Sequence, residues 1–139
     1  MFLAYNSADE RIVETVAAGL QRRGLNPWFA KWCLPPGRQF QREIERVFYS
    51  VKSVVIFIGE GGVGPWEDLE IRAAIQMFVK RQAPVIPVML PGVKQKVDLP
   101  LFLGDFGMVS FENGTDDVSA LDRLEWGITS VQPRRMTTI

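Results

Sequence analysis

Apolar residues along the chain form two patterns, short mainly apolar runs and longer segments in which they recur every three or four positions. The short runs predict strands at 2–5, 25–29, 51–58, 84–90 and 108–111, and the end of 51–58 is continuously apolar, as expected for a strand covered on both faces. The segments with helical spacing predict amphipathic helices at about 7–23, 39–49, 65–81 and 119–131. Strands that alternate with helices predict a parallel sheet covered on both faces, which is a three-layer α/β fold.

The number of predicted strands also indicates the sheet order. Five strands in a chain of 139 residues fit one flavodoxin-like domain with the order 2-1-3-4-5. Its switch point lies between the first and third strands, so Asn6-Ser7 and the glycine-containing loop 59–64 should flank one crevice. We expect the domain to occupy 1–131 and the tail 132–139 to be frayed or to act as a linker.

Local signals refine three of these elements. Ser7 followed by Glu10 predicts a capping box at the start of the first helix. Pro35-Pro36-Gly37 predicts turns within a long loop at 30–38. Pro87 lacks a backbone donor and predicts a bulge or a local edge in the fourth strand.

Composition excludes several kinds of chemistry. The chain has 16 basic and 16 acidic side chains, which argues against a dedicated nucleic-acid or membrane-surface binder. It contains no histidine and one cysteine, Cys33, so histidine-activated nucleophiles, histidine-ligated metals and a disulfide framework are not expected. No metal site is predicted, and the cysteine content favours a cytoplasmic setting.

The candidate for chemistry is a tryptophan and a carboxylate one helical turn apart after the third predicted strand. Trp66 and Glu70 fall on the same apolar arc of the predicted helix, close to its first residue, Pro65. Partial burial would raise the pKa of this carboxyl, whereas the helix N-terminus would lower it, a combination common at working sites. The alternative interpretation is that an acidic residue in a first turn only complements the helix dipole.

Several segments together resemble a TIR domain of the bacterial type. Residues 2–9 are similar to the first box of that family, and 26–29 and 34–37 are similar to its second strand and BB loop. Residues 85–88 resemble its fourth strand, proline included, and 124–128 resemble its closing helix. The resemblance extends over almost the whole chain and implies the TIR fold.

The resemblance implies cleavage of NAD⁺, as substrate rather than cofactor, at the nicotinamide–ribose bond. Trp66 and Glu70 match the Trp-x-x-x-Glu motif of NAD-cleaving members, which implies that Glu70 is catalytic and Trp66 walls the nicotinamide end. Pocket positions implied in the same way are Tyr5, Asn6, Ser7 and Phe40. The expected products are nicotinamide and either ADP-ribose or a cyclic ADP-ribose.

The resemblance also implies self-association through the BB loop, either as a homo-oligomer or as a filament. The interaction residues that it implies are Lys31, Trp32, Leu34, Pro35, Pro36, Gly37 and Arg38. Two hypotheses remain open, an NAD-consuming enzyme of bacterial antiphage immunity and a non-catalytic adaptor that binds other TIR domains. A fused or associated sensor domain is expected in either case.

Overall fold

The computed structural model of the chain describes residues 1–60, 69–93 and 106–134, with the backbone alone for 40–41 and 69–74. Within these residues, four strands form a parallel sheet in the order β1-β2-β3-β4. They are β1 (Phe2–Ala4), β2 (Val54–Ile58), β3 (Val85–Met89) and β4 (Val109–Ser110). All five residues of β2 are buried, as expected for a strand covered on both faces.

The second predicted strand, 25–29, is reduced to a single parallel bridge between Phe2 and Trp28. The Leu3 amide donates to the Trp28 carbonyl at 3.2 Å, and the Trp28 amide donates to the Met1 carbonyl at 2.8 Å. A helix begins two residues after Trp28, which limits how far the extended backbone continues along β1. Trp28 pairs with the side of β1 that faces away from β2, which is where the predicted order places the second strand. The predicted length of this strand was wrong.

The helices are α1 (Glu10–Arg22), α2 (Ala30–Cys33), α3 (Phe40–Ser50), α4 (Leu69–Lys80) and α5 (Val118–Thr129), with a 3₁₀ turn at Ser7–Asp9. Three of the predicted helices are confirmed to within a few residues, and the predicted start of the remaining one, 65–68, lies outside the described residues. The segment 30–38 was predicted as a loop throughout, but its first four residues form α2. In the described part of the chain, no helix is long and apolar enough to cross a membrane.

Two apolar clusters cover the two faces of the sheet, so the three-layer arrangement is confirmed. Alternate strand residues point to opposite faces. On one face, Leu3 and Phe57 pack with the apolar side of α1 and with α5. On the other face, Phe2 and Ile56 pack with Phe48 of α3 and with α4.

Pro87 occupies the place in β3 at which its missing donor is not required. The Leu90 amide donates to the Ile58 carbonyl of β2, whereas the Met89 carbonyl accepts from the amide of Phe111, the residue that follows β4. Because backbone groups alternate between the two sides, Pro87 faces β4, and pairing with β4 begins only at Val88. The predicted local edge is therefore confirmed, and the alternative of a bulge was wrong because β2 and β3 stay in continuous register.

Candidate functional site

The loop after β1 folds into a tight turn capped by Asn6. The Asn6 side chain accepts a hydrogen bond from the Ala8 amide at 3.1 Å, and the Asn6 carbonyl accepts from the Asp9 amide at 2.8 Å. Ser7 is the exposed first residue of the 3₁₀ turn, and α1 has no side-chain cap at Asp9. The predicted capping box of Ser7 was wrong, because Asn6 caps the chain one residue earlier.

Tyr5 lies at the carboxyl end of β1 and is partly buried. Its ring packs on Phe29 with the centroids 5.3 Å apart, and its hydroxyl donates to Glu10 Oε2 at 3.4 Å. Burial, and then the nearby Glu10 carboxylate, raise the pKa of Tyr5 to about 12. The phenol therefore stays protonated at physiological pH and acts as a hydrogen-bond donor.

The loops that follow β1 and β2 meet where the side chain of Asp9 lies against the backbone of Gly59. A Cβ at residue 59 would overlap Asp9 Oδ2 and would lie 2.6 Å from both Cγ and Oδ1. Asp9 Oδ2 is buried and has no hydrogen-bond partner among the residues that the structure describes. Burial, and then the charge of Glu60, raise the pKa of Asp9. The contact confirms that the two loops predicted to flank one crevice are neighbours.

The catalytic pair expected from the sequence falls largely outside the described residues. Glu70 is the second residue of α4 as described, and nothing is described of its side chain. Trp66 lies in the segment 61–68, outside the described residues. Phe40 is the first residue of α3, and its side chain is not described. The roles of these three residues stay predictions.

The predicted interaction segment consists of a helical turn followed by an exposed stretch. Within α2, Lys31 and Trp32 both bind Glu14 of α1, with Lys31 Nζ 3.0 Å from Oε1 and Trp32 Nε1 2.8 Å from Oε2. Leu34 is half-buried and follows α2 directly. The exposed stretch consists of Pro35, Pro36, Gly37 and Arg38. Gly37 has a φ of +87°, which explains why glycine occupies this turn.

Within the described residues, no group of acidic or cysteine side chains is placed to hold a metal ion. Cys33, the last residue of α2, is exposed.

Glu14, Asp9 and Gly59 were not selected from the sequence as site residues. The contact partners of Glu14 are 17 and 18 positions further along the chain, and no helical spacing signals such a pair. The sequence does contain a signal for Asp9, because Asp9 is the last residue of the polar run that follows β1. Gly59 had one also, because it directly follows a buried strand at the expected ligand edge.

The family follows from comparison with known proteins. The family model of the TIR domain matches residues 1–125, so the chain belongs to the TIR domain family. No match to a curated protein was found.

Several solved structures are similar to this chain, and two of them share its fold as follows. A metazoan TIR-STING receptor from C. gigas, solved in complex with 2′,3′-cGAMP, is 26% identical with a TM-score of 0.66. The match covers 86% of this chain and 38% of the receptor, so this chain corresponds to only part of that protein. The TIR domain of the Toll-related receptor TRR-2 from Hydra magnipapillata is 15% identical with a TM-score of 0.57, covering 79% of this chain and 82% of that domain. The second match supports the fold alone.

Proposed function

We propose that this TIR domain cleaves NAD⁺ at the nicotinamide–ribose bond and that self-association activates it in bacterial immune signalling. The observation that supports the proposal most is the placement of Glu70. It is the second described residue of α4, the helix that follows β2 along the chain, and the loops after β1 and β2 meet at the carboxyl ends of their strands, where Asp9 contacts Gly59. In open α/β sheets this edge is the usual place for a ligand.

The chemistry requires little more than one well-placed carboxylate. The C–N bond between ribose and nicotinamide breaks, and its electron pair returns to the ring nitrogen, so a pyridinium cation leaves as a neutral base. No general acid is needed, unlike in ordinary glycosidases. Glu70 would bind the ribose hydroxyls and stabilise the positive charge that develops on the ribose.

The nucleophile decides the product. Water that attacks the anomeric carbon loses a proton and gives ADP-ribose. An adenine nitrogen or a ribose hydroxyl of the same molecule gives a cyclic ADP-ribose instead. Tyr5, Asn6 and Ser7 would line this pocket, with Trp66 and Phe40 as its aromatic walls.

The test is nicotinamide release from NAD⁺ over a range of protein concentrations, with Glu70→Gln as the variant. Glu112→Gln is a matched control, because Glu112 is exposed and follows β4, at the opposite side of the sheet from β1. We expect the wild type and Glu112→Gln to release nicotinamide at similar rates. Glu70→Gln should release it at least about a hundredfold more slowly. Equal release by all three proteins would refute the role of Glu70.

The alternative function is a non-catalytic adaptor that binds other TIR domains through the BB loop. The exposed stretch Pro35 to Arg38 favours it, because a solvent-facing turn after α2 is suited to contact with a neighbour. A chain that self-associates without releasing nicotinamide at any concentration would support the adaptor. Substitution of Pro36 would then abolish association, whereas Glu70→Ala would leave it unchanged.

The setting is also part of the proposal. We place the domain in the cytoplasm, in antiphage defence, beside a fused or associated sensor. The TIR-STING receptor of C. gigas gives a precedent for a TIR domain that occupies part of a longer receptor.

A further inference from the structure

Asp9 occupies the N-cap position of α1 but does not cap the helix. An aspartate at this position usually accepts a hydrogen bond from an amide in the first helical turn. Here α1 has no side-chain cap hydrogen bond at Asp9, and Asn6 caps the preceding 3₁₀ turn. The Asp9 carboxylate is turned instead towards Gly59, the residue that follows β2. Helix capping therefore does not explain why an aspartate stands at this position.

The surroundings of Asp9 are those of a carboxylate that accepts protons well. Gly59 leaves the space that the carboxylate fills, and Oδ2 is buried without a partner in the part of the chain that the structure describes. Burial, and then the charge of Glu60, raise the pKa of Asp9. A general base works best when its pKa approaches the operating pH, so this direction favours proton transfer. Because Asp9 as a whole is only half-buried, its carboxylate is not closed off from the crevice.

The proposed reaction contains one proton that has no assigned acceptor. Nicotinamide leaves without taking a proton, whereas water that bonds to the anomeric carbon must lose one. Glu70 is assigned to the ribose hydroxyls and to the positive charge on the ribose. In glycosidases that use water directly, a second carboxylate accepts this proton. Asp9 lies at the carboxyl ends of β1 and β2, the sheet edge at which a ligand is expected.

We propose that Asp9 is a further catalytic residue, the base that takes the proton from the attacking water. This inference rests on the proposed cleavage of NAD⁺ and assigns its hydrolytic step. The C–N bond breaks with its electron pair going to the ring nitrogen, and a lone pair of water then bonds to the anomeric carbon. One O–H bond of that water breaks, its electron pair stays on the oxygen, and the proton passes to the Asp9 carboxylate. Solvent water later removes the proton and restores the carboxylate.

A nucleophile that has no proton to lose gives a direct comparison. The ring nitrogen of an added pyridine, such as 3-acetylpyridine, attacks the same carbon with a lone pair and forms an exchanged dinucleotide without a base. Loss of Asp9 should therefore slow capture by water and leave capture by the pyridine unchanged. A residue that only supports the fold would affect both products alike.

The test is the ratio of ADP-ribose to exchanged dinucleotide, formed from NAD⁺ in the presence of 3-acetylpyridine. Asp9→Asn keeps the size of the side chain but cannot accept the proton. The ratio should fall at least about tenfold, which is less than the full effect of a general base because the ribose cation is itself reactive towards water. Both products come from the same active molecules, so the ratio does not depend on how much of the variant is folded.

Two variants serve as controls. Asp116→Asn is the matched control, since Asp116 also lies beside a glycine, Gly114, but is exposed and follows β4. It should give the wild-type ratio. Glu60→Gln removes the neighbouring carboxylate, which is exposed, and it should change the ratio less than Asp9→Asn does. A larger change in Glu60→Gln would assign the proton to Glu60 and overturn the role of Asp9.

The other outcomes separate this inference from the proposed cleavage. An unchanged ratio in Asp9→Asn, or a variant that forms no exchanged dinucleotide, would overturn the role of Asp9 and leave the cleavage supported. A wild type that releases nicotinamide but forms no ADP-ribose would do the same. Absence of nicotinamide release from the wild type at every protein concentration would refute the cleavage, and the role of Asp9 with it.

Discussion

Gly59→Ala is the substitution for which the structure gives the sharpest steric expectation. A Cβ there would overlap Asp9 Oδ2 and lie 2.6 Å from Cγ and Oδ1, closer than real Cβ atoms approach their neighbours. Overpacking of this kind costs about 1–3 kcal/mol. Gly59 does not have a positive φ, so the backbone accepts alanine, and the smaller entropy of the unfolded chain returns about 0.4–1 kcal/mol. The net loss in the free energy of unfolding should be about 1–2 kcal/mol.

The loss should disappear when the carboxylate is removed. An Asp9→Ala background removes the three atoms nearest to the new methyl group, so Gly59→Ala should become neutral or stabilising there. The coupling between the two positions, measured by urea unfolding of the four proteins, should be about 2 kcal/mol. Gly107→Ala is the control, because a Cβ there meets no atom of the described residues within 4 Å. An equal cost of Gly59→Ala in both backgrounds would refute the steric argument.

Two further predictions concern the ends of α1. Burial and Glu10 raise the pKa of Tyr5 to about 12, so the stability that Tyr5 contributes is complete below its unfolded pKa near 10 and is lost as the pH rises towards 12. In an absorbance titration, the difference between the wild type and Tyr5→Phe should show no tyrosinate step below about pH 11. A step near pH 10 would contradict the burial argument. Arg23 Nη1 lies 2.6 Å from Asp122, whose side chain is 8% exposed, and 3.2 Å from Glu125. Arg23→Ala should lower the free energy of unfolding by about 2 kcal/mol because it removes a charged donor shared by two carboxylates, Asp122→Asn, which keeps an acceptor, should cost clearly less, and equal costs in urea unfolding would contradict this.

The elements predicted best from the sequence are those whose burial is fixed by a single local pattern. The runs that became β2 and β3 were predicted to within three residues, because a strand covered on both faces is apolar throughout. The segment 25–29 is mainly apolar too, but the chain turns into α2 directly after it. A hydrophobic run therefore indicated burial correctly and did not indicate how many hydrogen bonds would form.

Short elements and capping residues escaped the sequence patterns for a related reason. Four residues are too few for helical periodicity to reveal α2, and the prolines after it suggested a loop. Asn6 and Ser7 are both good capping residues, and only the backbone course after β1 selects Asn6.

The candidate site was predictable in its position more than in its contacts. The switch-point rule placed the loops after β1 and β2 side by side, and the contact of Asp9 with Gly59 confirms that. The binding of Lys31 and Trp32 by Glu14 joins residues whose proximity depends on the docking of α2 against α1, which no local pattern records.

Pro87 has a consequence for how the last strand finds its place. Because Pro87 offers no donor on the β4 side, β4 cannot slide towards the start of β3 and still form a full set of bonds. A slip of one residue would also turn Ser110 inward in place of Val109, which is 5% exposed. For a strand of two residues, of which Val109 is the buried one, a proline in the neighbouring strand thus sets the limit of pairing and guards against misregistered folding.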